Sequence, residues 1–192
     1  MKPALLCAAL LCALPLCAAA ATTATAAIGQ TIDPARSSVT ATFTQMGVPV
    51  EGRFAKVGGE IVYSSAAPTA ARAHVVIDTA SFDLDDAGYN RELHKPEWFD
   101  VQRFPRATFD SETVKAGAPG QFQVSGKLTI KGRSVTVAGP LSLRDDGGAA
   151  VIEGRWPIRR LAFGIGAGEW KDTSVLADEV VVSFRLVVPR PK

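Results

Sequence analysis

Cysteine is nearly absent from this chain, and its three cysteines all lie within the first 20 residues. A short basic start, an apolar run over residues 4–16 and small residues at 18–20 surround them, which is the layout of a cleaved secretory signal. We therefore predict a signal peptide over residues 1–20, with cleavage after Ala20 or near residues 24–26. Its removal leaves no thiol, which excludes disulfides, thiolate catalysis and thiolate metal sites.

Long apolar runs and concentrated charge are also missing. No stretch of 18 apolar residues follows the signal, so we expect the mature protein to be soluble. The 21 basic and 19 acidic residues give a net charge of +2 and form no basic stripe. Nucleic acid is therefore excluded as a partner. The predicted signal places the mature protein in the periplasm.

Histidine occurs only as His74 and His94, and a zinc site needs three or four N, S or O ligands at suitable spacing, so a metal or acid–base site here would have to combine a His with carboxylates. His94 lies near Glu92, Glu97 and Asp100, an arrangement equally typical of a solvated charged helix face. Serine occurs without a Gly-x-Ser-x-Gly elbow. We predict no catalytic residue and no metal, and a hydrolase built on His94 remains the alternative.

Alternation of apolar and polar residues dominates the chain from Thr31 onwards. This period of two marks strands with one buried face, and it is clearest from Val180 to Val188. Lys131-Gly132 and residues 145–148 are turn signals between such strands. About eight strands at hairpin spacing predict an all-β fold, either a sandwich or a closed antiparallel barrel.

One segment interrupts this pattern. The stretch Arg91–Ser111 contains the only plausible helix, and Asp85-Asp86 can cap a short helix running through Asn90 and Leu93. We therefore predict a short helical excursion near residues 85–100. Its adjacent aromatics Trp98 and Phe99 cannot both face fully inward. They either cap the mouth of a barrel or serve as ordinary core aromatics under a loop.

Two further motifs are candidate ligand sites. The run FGIGAGEW carries Gly164, Gly166 and Gly168 at a spacing that fits no nucleotide fingerprint, so it predicts a turn with positive φ. Arg159 and Arg160 stand beside apolar residues. They could hold a phosphate or pyrophosphate headgroup at the mouth of a cavity, or pair with surface acids.

The inward face of the predicted barrel mixes bulky and small side chains. Eight strands can enclose either a solid core or one slender ligand, and the residue volumes alone leave both open. The proposed lining of the lumen and its mouth consists of Phe43, Phe54, Ile61, Val75, Ile77, Trp98, Phe99, Phe109, Phe122, Leu128, Phe163, Val182 and Phe184.

Several blocks together resemble the YceI-like family of periplasmic lipid- or polyisoprenoid-binding proteins. They occur in the family's order and span residues 31–188. These blocks are IDPARSSV at 32–39, GRF at 52–54, WFD at 98–100 with FP and TF after it, GKLTIKG at 126–132, RLAFGIG at 160–166 and ADEV at 177–180. The resemblance implies an eight-stranded, lipocalin-like antiparallel barrel around a long apolar chain, without catalytic residues or metal.

The function expected on this basis is non-enzymatic binding. Residues 21–30 would form a disordered leader and residues 31–190 a single domain. The ligand would be a long-chain amphiphile, first a polyisoprenoid, isoprenoid quinone or polyprenyl phosphate, and second a fatty acid or amide. The alternative is a ligand-free barrel that acts in stress response or protein interaction. No cofactor beyond the bound lipid is expected, and a homodimer and a transient membrane contact are left open.

Overall fold

The structure, a computed structural model, describes residues 29–64 and 67–189. The predicted signal peptide and residues 21–28 of the predicted leader lie outside the described residues. Within the described ranges the chain forms eleven β-strands, one α-helix and four short 3-10 helices. No helix in this part of the chain is long and apolar enough to cross a membrane.

The strands build one antiparallel sheet in the order β1-β4-β5-β7-β8-β9-β10-β11-β2-β3-β6. The elements are β1 (Gly29–Thr31), β2 (Ser38–Gln45), β3 (Val48–Phe54), β4 (Val57–Val62), β5 (Arg72–Asp78), β6 (Phe82–Asp83), α1 (Ala87–Leu93), β7 (Arg106–Ala116), β8 (Gln121–Ile130), β9 (Arg133–Asp145), β10 (Ala149–Arg159) and β11 (Leu176–Pro189). The 3-10 helices are Pro68–Ala70, Thr79–Ser81, Arg160–Phe163 and Gly168–Lys171.

The sheet curls back on itself. Strands β3 and β4 stand near opposite ends of the strand order, yet only Ala55 and Lys56 connect them, and two residues cannot span a flat sheet. The segment after β1 also bridges the curl, since Ile32 N–H donates to Gly59 on β4 and Asp33 N–H to Val187 on β11. Among the described residues no strand ladder joins β1 to β6. The enclosure is therefore a curled sheet rather than a hydrogen-bonded closed barrel.

The predicted all-β antiparallel fold is confirmed, but the count of eight strands is too low. Strands β3 and β4 follow one another with only two residues between them, so hairpin spacing does not separate them, whereas they lie apart in the sheet. Strands β1 and β6 have three and two residues, too few to show alternation. The predicted disordered leader is wrong at its end, because Gly29 and Gln30 pair with β4.

The short helix is confirmed together with its cap. One carboxylate oxygen of Asp86 accepts from the N–H groups of Gly88 and Tyr89 at 2.7 and 2.9 Å, as an N-cap does. The helix ends at Leu93, however, so the helical extension through Arg91–Ser111 is wrong. Turns fill residues 94–105, where Asp100 has a φ of +50°, and β7 begins at Arg106.

The turn predictions hold at two places. Lys131 and Gly132 have φ of +51° and +70°, the backbone of a type I′ hairpin, and they join β8 to β9. The run FGIGAGEW is also a turn region, since its three glycines all have φ between +66° and +71°. The second turn region leads from β10 towards β11 and lies against the segment that follows α1.

Candidate ligand cavity

The curled sheet encloses two adjoining apolar spaces. The first, which we name the strand cavity, is lined by side chains from nine strands, β2–β5 and β7–β11. The second, the cap cavity, lies beneath α1 and the segment 94–105 and includes Tyr89, Leu93 and Trp98 in its lining. The two share the lining residues Phe54, Phe99, Ile130, Ile158 and Val182. They are therefore neighbouring parts of one interior.

The size of the interior is incompatible with a solid core. The strand cavity offers about 180 Å³ and the cap cavity about 170 Å³ to the centres of water-sized molecules. One buried water needs roughly 10–15 Å³ on that measure. The sequence alone could not choose between an open interior and a packed core, and the structure shows an open interior.

Glycines at inward positions of four strands explain how bulky aromatics leave this space open. A Cβ at Gly154 on β10 would lie 2.4 Å from Cζ of Phe184, and one at Gly139 on β9 would lie 2.2 Å from Cδ1 of Trp156. A Cβ at Gly126 on β8 would lie 2.7 Å from Cζ of Phe109, and one at Gly52 on β3 would lie 2.4 Å from Cζ of Phe82. These rings occupy the places that side chains of neighbouring strands would take. The rings therefore lie over the glycines along the wall of the cavity and leave the lumen open.

Trp156 is the main lining residue that the sequence analysis missed. Its ring packs edge-on between Phe109 and Phe184, with centroids 5.4 and 5.2 Å away. Its indole N–H donates to the carbonyl of Pro140 at 2.8 Å. Trp156 shares its strand parity with Ile152 and Ile158 on β10, and that alternation is the signal that could have identified it.

Twelve of the thirteen residues predicted to line the lumen do line one of the two cavities. Phe43 and Trp98 belong to the cap cavity, Phe54, Phe99 and Val182 to both, and the other seven to the strand cavity. Those seven are Ile61, Val75, Ile77, Phe109, Phe122, Leu128 and Phe184. Their contact with a ligand stays a prediction.

Phe163 is the exception. It lines neither cavity and is only 1 % exposed, within the hydrophobic cluster beneath the cap. Its 3-10 helix turns the ring into that cluster, so its predicted place at the mouth is wrong.

The two arginines predicted to hold a headgroup have different surroundings. Arg159 is exposed, with 73 % of its side chain accessible, and pairs with Asp178 at 3.3 Å. This is the surface pairing that the sequence left as the alternative. Arg160 is only 3 % exposed, and its five N–H groups donate to five main-chain carbonyls. The headgroup role is wrong for Arg160, because no N–H group remains for a ligand.

Those five carbonyls explain what Arg160 does. Its Nε donates to Ala177 at 2.9 Å, its Nη1 to Ile165 and Gly166, and its Nη2 to Trp170 and Leu176. The guanidinium thus ties the start of β11 to the glycine-rich turns. Burial lowers the pKa of Arg160, and the nearby carboxylate of Asp178 opposes that shift.

A second group of polar contacts holds the segment 94–105 over the cap cavity. The sequence analysis did not identify it. The Nζ of Lys131 donates to the carbonyls of Pro96 and Gly164, the latter at 3.0 Å. Burial lowers the pKa of Lys131. Beside it, the carbonyl of Glu97 accepts from the N–H groups of Gly166 and Ala167, both at 2.9 Å. The segment 94–105 is therefore fixed to the glycine-rich turns.

The candidate catalytic groups do not assemble. Among residues 29–64 and 67–189 no three His, Cys, Asp or Glu side chains are grouped to hold a metal ion. The Nε2 of His94 lies 3.2 Å from the carbonyl oxygen of Ala80. His74 faces the outside of the sheet, where its Nδ1 lies 2.6 Å from the carboxylate of Asp110. The two histidines thus contact separate partners.

Comparison with known proteins agrees with this architecture. The family model described as the YceI-like domain matches residues 30–188. The crystal structure of BcnA from Burkholderia cenocepacia is 42 % identical, covers 81 % of this chain and 98 % of its own, and superposes with a TM-score of 0.78.

More distant similarities point the same way. A polyisoprenoid-binding domain from Saccharophagus degradans, implicated in plant cell wall breakdown, has the same fold with a TM-score of 0.67 and 18 % identity over 84 % of this chain and 98 % of its own. A UPF0312 protein of Shewanella baltica strain OS185 is 33 % identical over 124 residues, or 64 % of this chain. The match spans about three fifths (61 %) of that relative's length.

Proposed function

The chain belongs to the YceI-like family, and from this premise we propose that it is a non-enzymatic carrier or sequestering protein for a long-chain apolar amphiphile. The observation that carries the proposal is the open apolar interior formed by the adjoining strand and cap cavities. Polyisoprenoids, including isoprenoid quinones and polyprenyl phosphates, are the first candidates, and fatty acids or amides are the second.

The strand cavity fits the tail of such a molecule. Among its lining residues the polar side chains of Ser111 and Arg72 are engaged within the protein. Ser111 accepts from the N–H of Ala73 at 2.8 Å, and Arg72 donates to the carbonyl of Ala71 at 2.8 Å. The remaining surface is nearly all hydrocarbon. Each methylene buried there contributes about 0.8 kcal/mol, so several isoprene units give tight binding without polar contacts.

Two further observations support the ligand class and the compartment. The Saccharophagus degradans domain that shares this fold is described as polyisoprenoid-binding. The apolar run and small residues at the start of the chain have the layout of an export signal, which supports a periplasmic location. A homodimer and a transient membrane contact stay predictions.

The decisive experiment combines native mass spectrometry with solvent extraction of protein isolated from the periplasm of its own organism. We expect an adduct whose mass matches a prenyl or fatty lipid in the extract. Protein that carries no lipid, and that shows no mass shift with added polyprenols, would contradict the proposal and favour the ligand-free module.

A matched pair of variants locates the site. Ala107 on β7 is buried and lines the strand cavity, so Ala107→Phe places a ring in the lumen. Ala138 on β9 is exposed, so Ala138→Phe adds the same ring outside. Loss of the adduct in Ala107→Phe alone is expected. Equal lipid occupancy in the two folded variants would mean that the ligand binds elsewhere.

A further inference from the structure

Trp98 has a buried polar group that the protein leaves unpaired. Its ring lines the cap cavity and packs against Trp170, with centroids 5.3 Å apart. Its indole Nε1 is screened from solvent and is the one buried side-chain nitrogen or oxygen in the described residues without a hydrogen-bond partner. A buried donor without a partner destabilises the fold, so its position needs an explanation.

Trp156 shows the contrast. Trp156 lines the strand cavity, and its N–H is satisfied by the carbonyl of Pro140 at 2.8 Å. Trp156 therefore has no free indole donor for a ligand, whereas the N–H of Trp98, whose ring lines the cap cavity, is unpaired. Gln45, Tyr89 and Glu92 are also among the residues that line the cap cavity.

We propose that the indole N–H of Trp98 donates a hydrogen bond to a neutral acceptor oxygen on the polar end of the bound amphiphile. This places the polar end in the cap cavity and the apolar tail in the strand cavity. The acceptor is a ketone, quinone, ester or amide carbonyl. The inference rests on the proposed lipid-binding function and specifies its headgroup chemistry.

The charges around the cap cavity favour a neutral acceptor over a phosphate. Arg160 lines this cavity, but its N–H groups all donate to main-chain carbonyls. Glu92 is also a lining residue, and its carboxylate pairs with Lys95. An anionic headgroup would therefore find no free guanidinium donor among the lining residues. A carbonyl oxygen needs only the single donor that Trp98 has.

The first test observes the three tryptophan indole N–H resonances in the ¹⁵N-labelled protein, assigned through Trp→Phe variants. The probes are a prenyl chain ending in a methyl ketone and the same chain with a methylene in place of the carbonyl. We expect the ketone, compared with the hydrocarbon, to move the Trp98 proton downfield and to leave Trp156 unchanged. Equal shifts at Trp98 with both probes overturn the proposal.

The second test measures affinity for the same probes. Trp98→Phe keeps an aromatic ring and removes the N–H, so it should weaken ketone binding about three- to tenfold, the worth of one hydrogen bond, with little effect on the hydrocarbon. Trp170→Phe makes the same ring contraction in the same cavity and should affect both probes alike. Equal losses of both probes in Trp98→Phe overturn the proposal.

A prenyl phosphate of the same chain length completes the set. If it binds the native protein more tightly than the ketone, the headgroup is recognised by charge and the proposal is wrong. If no probe binds the native protein, the proposed function itself fails and this inference with it. Binding of ketone and hydrocarbon without discrimination at Trp98 leaves the proposed function intact and refutes only the headgroup assignment.

Discussion

Replacing Arg160 with methionine should destabilise the fold far more than the same change at its neighbour Arg159. The two residues are adjacent in sequence and identical in chemistry, but one guanidinium is buried among carbonyls and the other is exposed to solvent. The pair therefore separates a structural arginine from a surface arginine with a single substitution type.

The magnitude follows from the hydrogen bonds. Arg160→Met leaves five carbonyl oxygens without this donor. Each buried acceptor left unsatisfied costs about 1–3 kcal/mol, so a total loss of about 3–5 kcal/mol is expected if only some of the five stay unpaired. Arg159→Met removes one exposed ion pair with Asp178, and exposed pairs contribute about 0–1 kcal/mol. Since a domain of this kind is stable by roughly 5–15 kcal/mol, the first change should remove a large part of the total.

Urea unfolding followed by circular dichroism measures the difference. With a slope of about 2 kcal/mol per molar urea, a loss of about 4 kcal/mol moves the midpoint down by about 2 M, whereas Arg159→Met should move it by less than about 0.5 M. Equal midpoints for the two variants, with unchanged slopes, would refute the assignment of Arg160 as the group that fixes the glycine-rich turns.

Two other predictions concern the wall of the strand cavity and the N-cap of α1. In Gly154→Ala the new Cβ would lie 2.4 Å from the ring of Phe184, where ordinary contact begins at 3.4 Å. The ring must therefore move by about 1 Å towards the strand cavity, costing about 1–3 kcal/mol of stability and weakening lipid binding in a titration. Adding Phe184→Leu should restore binding, and a double variant no better than Gly154→Ala would contradict this mechanism. In Asp86→Ala the cap of α1 is lost, so stability should fall by about 1 kcal/mol. Hydrogen exchange should accelerate at the amides of Gly88 and Tyr89 more than in β11, and uniform acceleration would count against a local cap.

Much of the sheet was predictable because long strands with one buried face repeat every two residues. The alternation from Val180 to Val188 identified β11, and Lys131-Gly132 identified the β8–β9 hairpin. Strands β1 and β6 were not predicted because they have only three and two residues, too few to show a period of two. The separation of β3 from β4 in the sheet could not be predicted, because it depends on how the whole sheet curls and not on any local sequence pattern.

The cavity was only partly predictable for a related reason. Alternation tells which side chains face inward, but it does not tell whether they meet across the lumen. That depends on pairs such as Phe184 over Gly154 and Trp156 over Gly139, which lie on different strands. The role of Arg160 was missed because a buried guanidinium and a surface one look alike in sequence, and its partners are main-chain carbonyls, which residues of any type supply.

The walls of an open cavity cannot be stabilised by side chains that pack against each other across it. In this protein, polar contacts around the cap cavity stabilise the surrounding backbone instead. Arg160 joins the glycine-rich turns to the start of β11 through five carbonyls. Lys131 joins those turns to the carbonyl of Pro96, and Glu97 accepts from their N–H groups. Each of these bonds fixes backbone without adding bulk to the lumen. These polar contacts and the aromatic rings that lie over glycines together keep the apolar walls of the cavity apart. The proposed long-chain ligand requires that separation.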